Sequence, residues 1–522
     1  MTRSVFVAPS VLALVLTSSI GIAQTPAPGP APAPARAPAP GAAAADRPSL
    51  MPAPTAPGTE GPNASVSQTT LELQARLESM MKGVAGLTAD EVAARAVKNS
   101  HQLVAKRAEL EGAEASVDRA KAAFVPALNL GASYTRLSSI EAPQLGLLAV
   151  PEDQTPGPIA DGAPLVAVPL TFPFLFNQYV LQAQLNVPLS DYVLRSSRGL
   201  QGAKHLRAAS ELDERATKLS VARDARVAYY QWIRAQGVAF VATQALEQAK
   251  GHLNDANNGF QAGLISKADV LRAQSGVKNS ELFLQRATSN AQLAVTRLRI
   301  LMKDESGKPY EVGENVLAPK GPMPNTTDEE AAYREAARSR LELKKLFETE
   351  QALHDQAAVI GADNYPRLDA HAGAQYSNPN QRYFPAEEKF HGSWEASIML
   401  SWTPTAIFGA TAGTRQVEAR AAEVAAQRQG LIDALKMEVS QALRAERDAR
   451  FAVGVSEQAL IATEEGYRVR RELFRGGRAT FVEVTDAETE LTRDRLELVN
   501  SHIALRIAQV ELTHALGRDV GK

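Results

Sequence analysis

Gly259-Phe260-Gln261-Ala262-Gly263 and Leu473-Phe474-Arg475-Gly476-Gly477 align without a gap, and the register holds beyond them. Ala268-Asp269-Val270 follows the first, and Val482-Glu483-Val484 follows the second at the same distance. Downstream of the first turn, Val270, Val277, Leu284, Ala291 and Leu298 recur at every seventh position. Downstream of the second, Val484, Leu491, Leu498, Leu505 and Leu512 do the same. A seven-residue apolar period is the seam of a coiled coil, and an ordinary amphipathic helix drifts off it. Each turn is preceded by a long stretch without Pro, from about Val193 to Asn257 and from about Ala412 to Glu472. At 1.5 Å per residue each would make a rod of ~90 Å. No single globular core needs such a rod, and its polar faces exclude a membrane-spanning helix, so it should pack sideways against other rods in water.

Working outward, the chain reads as two similar halves. Both open on a capping box, Thr88-Ala-Asp-Glu91 and Thr327-Asp-Glu-Glu330. Both continue as a charged, Ala-rich helix that a Pro stops, at Pro126 and Pro366. Two alternating strands follow in each half, then the long helix, the Gly-containing turn and a closing helix. The boundaries are expected at 67–304 and 327–522, joined by a linker at 305–326.

The four strands are expected at about 125–138, 174–189, 366–377 and 393–403. In the first, Leu128, Leu130, Ala132 and Tyr134 oppose Asn129, Gly131, Ser133 and Thr135. In the second, Tyr179, Leu181, Ala183, Leu185 and Val187 oppose Gln182, Gln184 and Asn186; the third and fourth alternate likewise around Leu368 to Tyr376 and Trp394 to Trp402. Each is about ten residues long, the length of a tilted strand crossing a bilayer. Aromatics mark the ends: Trp394 and Trp402 on the fourth, and Phe172, Phe174, Phe176 and Tyr179 at the start of the second, in the manner of interfacial girdles. Four strands cannot close a barrel, and an open edge in lipid leaves backbone groups unsatisfied. Several copies must therefore combine, with the polar faces lining a lumen. The segments at about 140–171 and 377–392 are expected to be loops at the barrel end far from the helices.

Bulk properties agree. Of 522 residues, 45% are hydrophobic but only 6% aromatic, which favours Ala- and Leu-rich helices. A net charge of -2 gives no electrostatic footprint for nucleic acid. The absence of Cys removes disulfides, thiolate catalysis and Cys-based zinc sites. Arg3, the apolar run Val5 to Leu16 and Gly21-Ile22-Ala23 read as a secretory signal over 1–23. Residues 24–66, Pro- and Ala-rich, read as an extended tether.

No enzyme motif survives inspection, and no catalytic residue, metal site or cofactor is expected. The eight His show no pair at helical zinc spacing. Ser79-Met-Met-Lys82 and Ser275-Gly-Val-Lys278 match Ser-x-x-Lys without its companion motifs.

Over about Leu87 to Arg518 the chain resembles the TolC-like outer-membrane efflux proteins. The resemblance rests on the duplicated helix–strand–strand–helix order and the paired Phe-x-x-Gly turns. It rests also on Asp-Val-Leu-x-Ala-Gln at Asp269 to Gln274 with its partner at Glu483 to Glu488. It implies a mainly α chain with a β-barrel portion: a homotrimer with a twelve-stranded barrel in outer-membrane lipid and an α-barrel tunnel in the periplasm. Such a duct exports substrates passively, as part of an efflux or type I secretion system. Its partners would be a periplasmic adaptor (membrane fusion) protein and an inner-membrane pump of the RND, ABC or MFS type. A soluble periplasmic coiled-coil adaptor or scaffold is the alternative that the helices alone allow.

The resemblance also places residues. Asp269, Glu483 and Asp486 fall where acidic rings surround the closed periplasmic aperture. As first-turn acids, Asp269 and Glu483 are equally what a helix dipole favours. Phe474 takes the position of a gate aromatic but lacks a hydroxyl. The family's gate Arg falls on Ala479, with Arg478 one place earlier and Arg475 flanking the turn. Gln261, Ala262, Gly263, Leu264, Arg475, Gly476, Gly477 and Arg478 match the adaptor-contacting tips, and Gly there also permits a tight turn.

Overall fold

The structure, a computed structural model, describes residues 86–139, 146–152, 157–169, 175–263, 265–318 and 328–521. The expected signal segment and tether, Thr327, Leu264, Phe172 and Phe174 lie outside them.

The first half runs α1 (Ala89–Asn99), α2 (His101–Ala122), β1 (Ala127–Arg136), β2 (Leu147–Pro151), β3 (Leu165–Pro169), β4 (Asn177–Val187), α3 (Ser197–Gln261) and α4 (Lys267–Met302). The second runs α5 (Glu329–Ser339), α6 (Leu341–Gly361), β5 (Arg367–Asn378), β6 (His391–Ser401), α7 (Ala406–Arg475) and α8 (Phe481–Ala515). The long rods, α3 and α7, have 65 and 70 residues, so each is about 100 Å long. Both outrun the expected bounds by about a turn at the distal end. A helical turn at Leu189–Asp191 and a π segment at Tyr192–Ser196 lead into α3 without a break in the winding.

The heptad positions are the seam. Val270, Val277, Ala291 and Leu298 of α4 are buried and Leu284 is half-buried, packed on α3. Val484, Leu491 and Leu512 of α8 are buried, with Leu498 half-buried against α7. The main core lies where α1, α3, α4 and α8 meet, around Tyr229, Trp232, Ile233, Leu298, Val499 and Ile503. Burying each large side chain there contributes about 1.5–3 kcal/mol. The backbones come close: a Cβ on Gly237 would sit 2.7 Å from Val499 Cγ1. The described part of the linker, residues 305–318, is held over this core, with Leu87 N–H bonded to Glu311 O and Gly313 N–H to Leu87 O. Tyr229 Oη donates to Leu87 O at 2.6 Å, and Arg506 donates to the carbonyls of Asn315, Val316 and Ala318.

Two expectations on the leading helices need correction. Each half opens on two helices rather than one, with extended backbone at Ser100 (ψ 120°) and Arg340 (ψ 123°). Ser100 Oγ caps the new start by accepting Leu103 N–H, while the buried Arg340 side chain binds Glu342, Glu438 and His514 O. The capping boxes are also only partial. Thr88 Oγ1 accepts Glu91 N–H, but the Glu91 carboxylate takes Arg95; the second half is capped by Asp328, through Glu330 N–H.

The strands form a four-stranded antiparallel sheet in the order β1-β4-β5-β6. Its register joins like to like. Leu128, Leu185, Ala372 and Ala396 form one row; Leu130, Ala183, Ala374 and Trp394 form another. Between them Asn129, Gln184, Gly373 and Glu395 form a polar row, and so do Gly131, Gln182, Gln375 and Ser393. The apolar face is open in the single chain, with Leu130 77% and Ile398 73% exposed. At the loop end Tyr134, Tyr179, Phe390 and Tyr376 form a chain of ring contacts, with successive ring centres 4.9, 6.0 and 5.2 Å apart. Trp402 lies just past β6 at the helix end, whereas Trp394 sits three residues inside the strand rather than at its tip, because β6 begins at His391.

The segment expected as a structureless loop carries a hairpin. β2 and β3 pair from Leu147 opposite Pro169 to Pro151 opposite Leu165. Its flanking prolines hid two short Val- and Leu-rich runs, and Pro is tolerated there because a two-stranded hairpin is all edge.

Candidate functional site: the paired helix tips

α3 and α7 end in turns of one design. Ala262 N–H bonds to Asn258 O and Gly263 N–H to Phe260 O, with Gly263 at φ +74°. In the second turn Gly476 N–H bonds to Glu472 O, Gly477 N–H to Phe474 O and Arg478 N–H to Leu473 O, with Gly477 at φ +68°. These bonds satisfy the last carbonyls of each rod, and the left-handed residue is Gly because a Cβ is strained there.

The helix that leaves each turn starts with a full capping box. Ser266 Oγ accepts Asp269 N–H at 3.2 Å while the Asp269 carboxylate accepts Ser266 N–H at 3.3 Å. Thr480 Oγ1 accepts Glu483 N–H at 3.3 Å and the Glu483 carboxylate accepts Thr480 N–H at 2.8 Å. The capping boxes that position this site are therefore at the turns, not where the sequence suggested them. Glu483 and Asp486 are exposed and Asp269 is half-buried. Gln261, Ala262, Gly263, Arg475, Gly476, Gly477 and Arg478 are all exposed.

Phe474 points inward. Its ring meets Phe481 edge-on at 6.0 Å, and it joins two apolar clusters. One holds Leu460, Tyr467, Val484, Ala487 and Leu491; the other holds Ala256, Val270, Ala273 and Phe481. Phe474 and Phe481 thus weld the tip of the first half to that of the second by apolar contact.

Above the turns lies a polar group that sequence reasoning missed. His252 of α3, Tyr467 of α7 and Glu488 of α8 converge in the interior. His252 Nε2 lies 3.1 Å from Tyr467 Oη and 3.2 Å from Glu488 Oε2. His252 is only 4% exposed. Burial holds the His252 imidazole down at about 4, aided by Arg471 and Arg475 against Asp255. Burial raises the Glu488 carboxyl to about 7, against the pull of Arg471, and lifts the Tyr467 phenol to about 12. Two turns beyond Glu488 on α8, buried Arg495 pairs with Glu464 at 3.5 Å.

At the other end, the polar face of the sheet carries a linked set. His371 Nδ1 meets Asn186 Oδ1 at 2.8 Å, His371 Nε2 lies 3.6 Å from Glu395 Oε1, and Arg382 donates to Glu395 Oε2 at 2.6 Å. Among the described residues no cluster of three His, Asp or Glu side chains could hold a metal ion, and no helix is long and apolar enough to cross a membrane.

The family model for outer membrane efflux proteins matches residues 92–302 and again residues 332–518. The chain belongs to the outer membrane efflux protein family. It is thus an outer-membrane exit duct, with its helices in the periplasm. The outer membrane protein TolC of Vibrio cholerae is 22% identical over 467 residues, covering 86% of this chain and 94% of that one. In fold the chain is similar to the Campylobacter jejuni CmeC outer membrane channel, with TM-score 0.67, 15% identity and 85% and 91% of the two chains covered. It is similar also to the outer membrane protein VceC of Vibrio cholerae, with TM-score 0.64, 18% identity and 82% and 96% covered. Membership of this efflux family decides against the soluble adaptor or scaffold.

Proposed function

We propose that three copies of this chain close a twelve-stranded barrel and a coaxial helical tunnel, a passive conduit without enzymatic activity. One observation carries this: the sheet is polar on one face, apolar on the other, and unpaired along both β1 and β6. Such edges are intolerable in lipid, so β6 of one copy pairs with β1 of the next. Two copies would leave little lumen; three give about twelve strands and a channel.

The helix tips would then face the periplasm, where residues 261–264 and 475–478 dock a periplasmic adaptor that couples the duct to an inner-membrane pump. Asp486, and Glu483 beyond its capping role, would ring the aperture as carboxylates that attract cations. Phe474 supports closure by packing, since it has no hydroxyl to bond with, and Arg478 supplies the nearby cation. Residues 1–23 would be the secretory signal, and 24–66 a tether ahead of the duplicated halves.

The test uses the absence of native Cys. Single Cys pairs scanned along β1 and β6 should give disulfide-linked trimers in outer membranes. Ladders that stop at monomer across the whole scan would overturn the assembly.

A further inference from the structure

We propose that His252, Tyr467 and Glu488 form a clasp in which the imidazole and the carboxyl hold one proton between them, so that the grip of the first rod on the second helix pair is insensitive to periplasmic pH. This rests on the reading of the tips as the part that opens.

The geometry sets the clasp. Its three side chains come from α3, α7 and α8, so it crosses between the two halves. It stands just above the apolar weld of Phe474 and Phe481. On the α4 side, the buried side chains packed on α3 here include the apolar Val270, Ala273 and Val277. The charged groups facing the clasp are Asp255 on α3, Arg471 and Arg475 on α7, and Arg495 on α8. A separated imidazolium and carboxylate would each be a charge taken out of water, which is costly. A neutral carboxylic acid donating to His252 Nε2 avoids that cost, and Tyr467 Oη lies beside that bond, 3.1 Å from the same nitrogen.

When the clasp parts, both groups meet water and return to ordinary values of 6.5 for the imidazole and 4.5 for the carboxyl. The signs then oppose. The His252 value is lowered in the clasp, so the parted form gains a proton there as pH falls from 6.5 towards 4, which weakens the clasp in acid. The Glu488 value is raised, so the parted form loses a proton there as pH rises from 4.5 towards 7, which weakens the clasp in base. Between pH 5 and 7.5 the two act in opposite directions and offset one another. Either one alone would change the closed-to-open ratio on the order of 30-fold.

Opening is read as conductance of the full chain in planar bilayers, and clasp integrity as hydrogen exchange of amides flanking 252 and 488. In wild type both should vary little between pH 5 and 7.5. Glu488→Gln should open more readily at pH 5 than at pH 7.5; His252→Gln should do the reverse; Tyr467→Phe should loosen the clasp equally at both. Variants that shift in the same direction, or that stay flat, would overturn the shared proton. Opposite exchange profiles with conductance that does not follow them would keep the clasp and overturn the reading of the tips as the part that opens.

Discussion

Asp269 and Glu483 occupy the same place in the two turns: each is the third residue of its helix, and each carboxylate accepts the backbone N–H of the hydroxyl residue that caps it. Aligned in sequence, they read as candidate members of an acidic aperture ring. In the structure both are committed to starting a helix, whereas exposed Asp486 is not. The two roles separate by experiment.

Glu483→Ala and Thr480→Ala should each cost about 1 kcal/mol at the start of α8, since each removes half of the same capping box. Asp486→Asn should leave stability unchanged yet raise or retune cation conductance and relieve block by multivalent cations. Thermal unfolding and bilayer conductance on the same preparations check this. Unchanged conductance and block in Asp486→Asn would remove that residue from the aperture.

The sheet makes a two-faced prediction. Leu130 lies on the apolar face and Gln182 on the polar one, diagonal neighbours across the β1–β4 pair. Leu130→Arg should cost about 2–4 kcal/mol in the membrane and deplete the protein from outer-membrane fractions. Gln182→Arg should assemble and shift ion selectivity towards anions. Equal tolerance of both would mean that the apolar face does not meet lipid.

How much of this was legible in the sequence follows from the range of each interaction. The heptads from Val270 and Val484 were readable because the period is local, and so were the strands because alternation is local. The turns were readable because the duplication showed each one twice. The Ser100 and Arg340 breaks were not. Neither residue ends a periodic pattern, and Arg340 is held by Glu438, 98 residues away. The β2–β3 hairpin was masked by its own prolines. The clasp was invisible because Tyr467 meets His252 across 215 residues, and nothing local marks either.

Trp232 is 1% exposed at the centre of the main core, yet its indole N–H has no hydrogen-bond partner among the described residues. Trp232→Ala should therefore cost about 3–5 kcal/mol through the cavity it leaves. Trp232→Phe should cost distinctly less, because it removes an unsatisfied donor together with some volume. Denaturant midpoints of the two variants give the ordering, and a Phe variant as damaging as Ala would show that the donor is satisfied.

Gly476 and Gly477 are indistinguishable as sequence but not as backbone. Gly476 sits at φ -83°, ψ 5°, where any residue fits, and an added Cβ would stay 3.5 Å from Glu472 O. Gly477 sits at φ +68° with open space around it, so its constraint is conformational rather than steric. Gly477→Ala should cost about 1 kcal/mol, Gly477→Val more, and Gly477→Asn less, while Gly476→Ala should be neutral or mildly stabilising. The Arg478 amide, bonded to Leu473 O at 2.8 Å, reports the turn directly by hydrogen exchange. The same set separates folding from docking. If Gly477→Asn keeps that amide protected yet no longer binds the adaptor, the turn contributes surface as well as shape; if protection and binding fall together across the series, its contribution is shape alone.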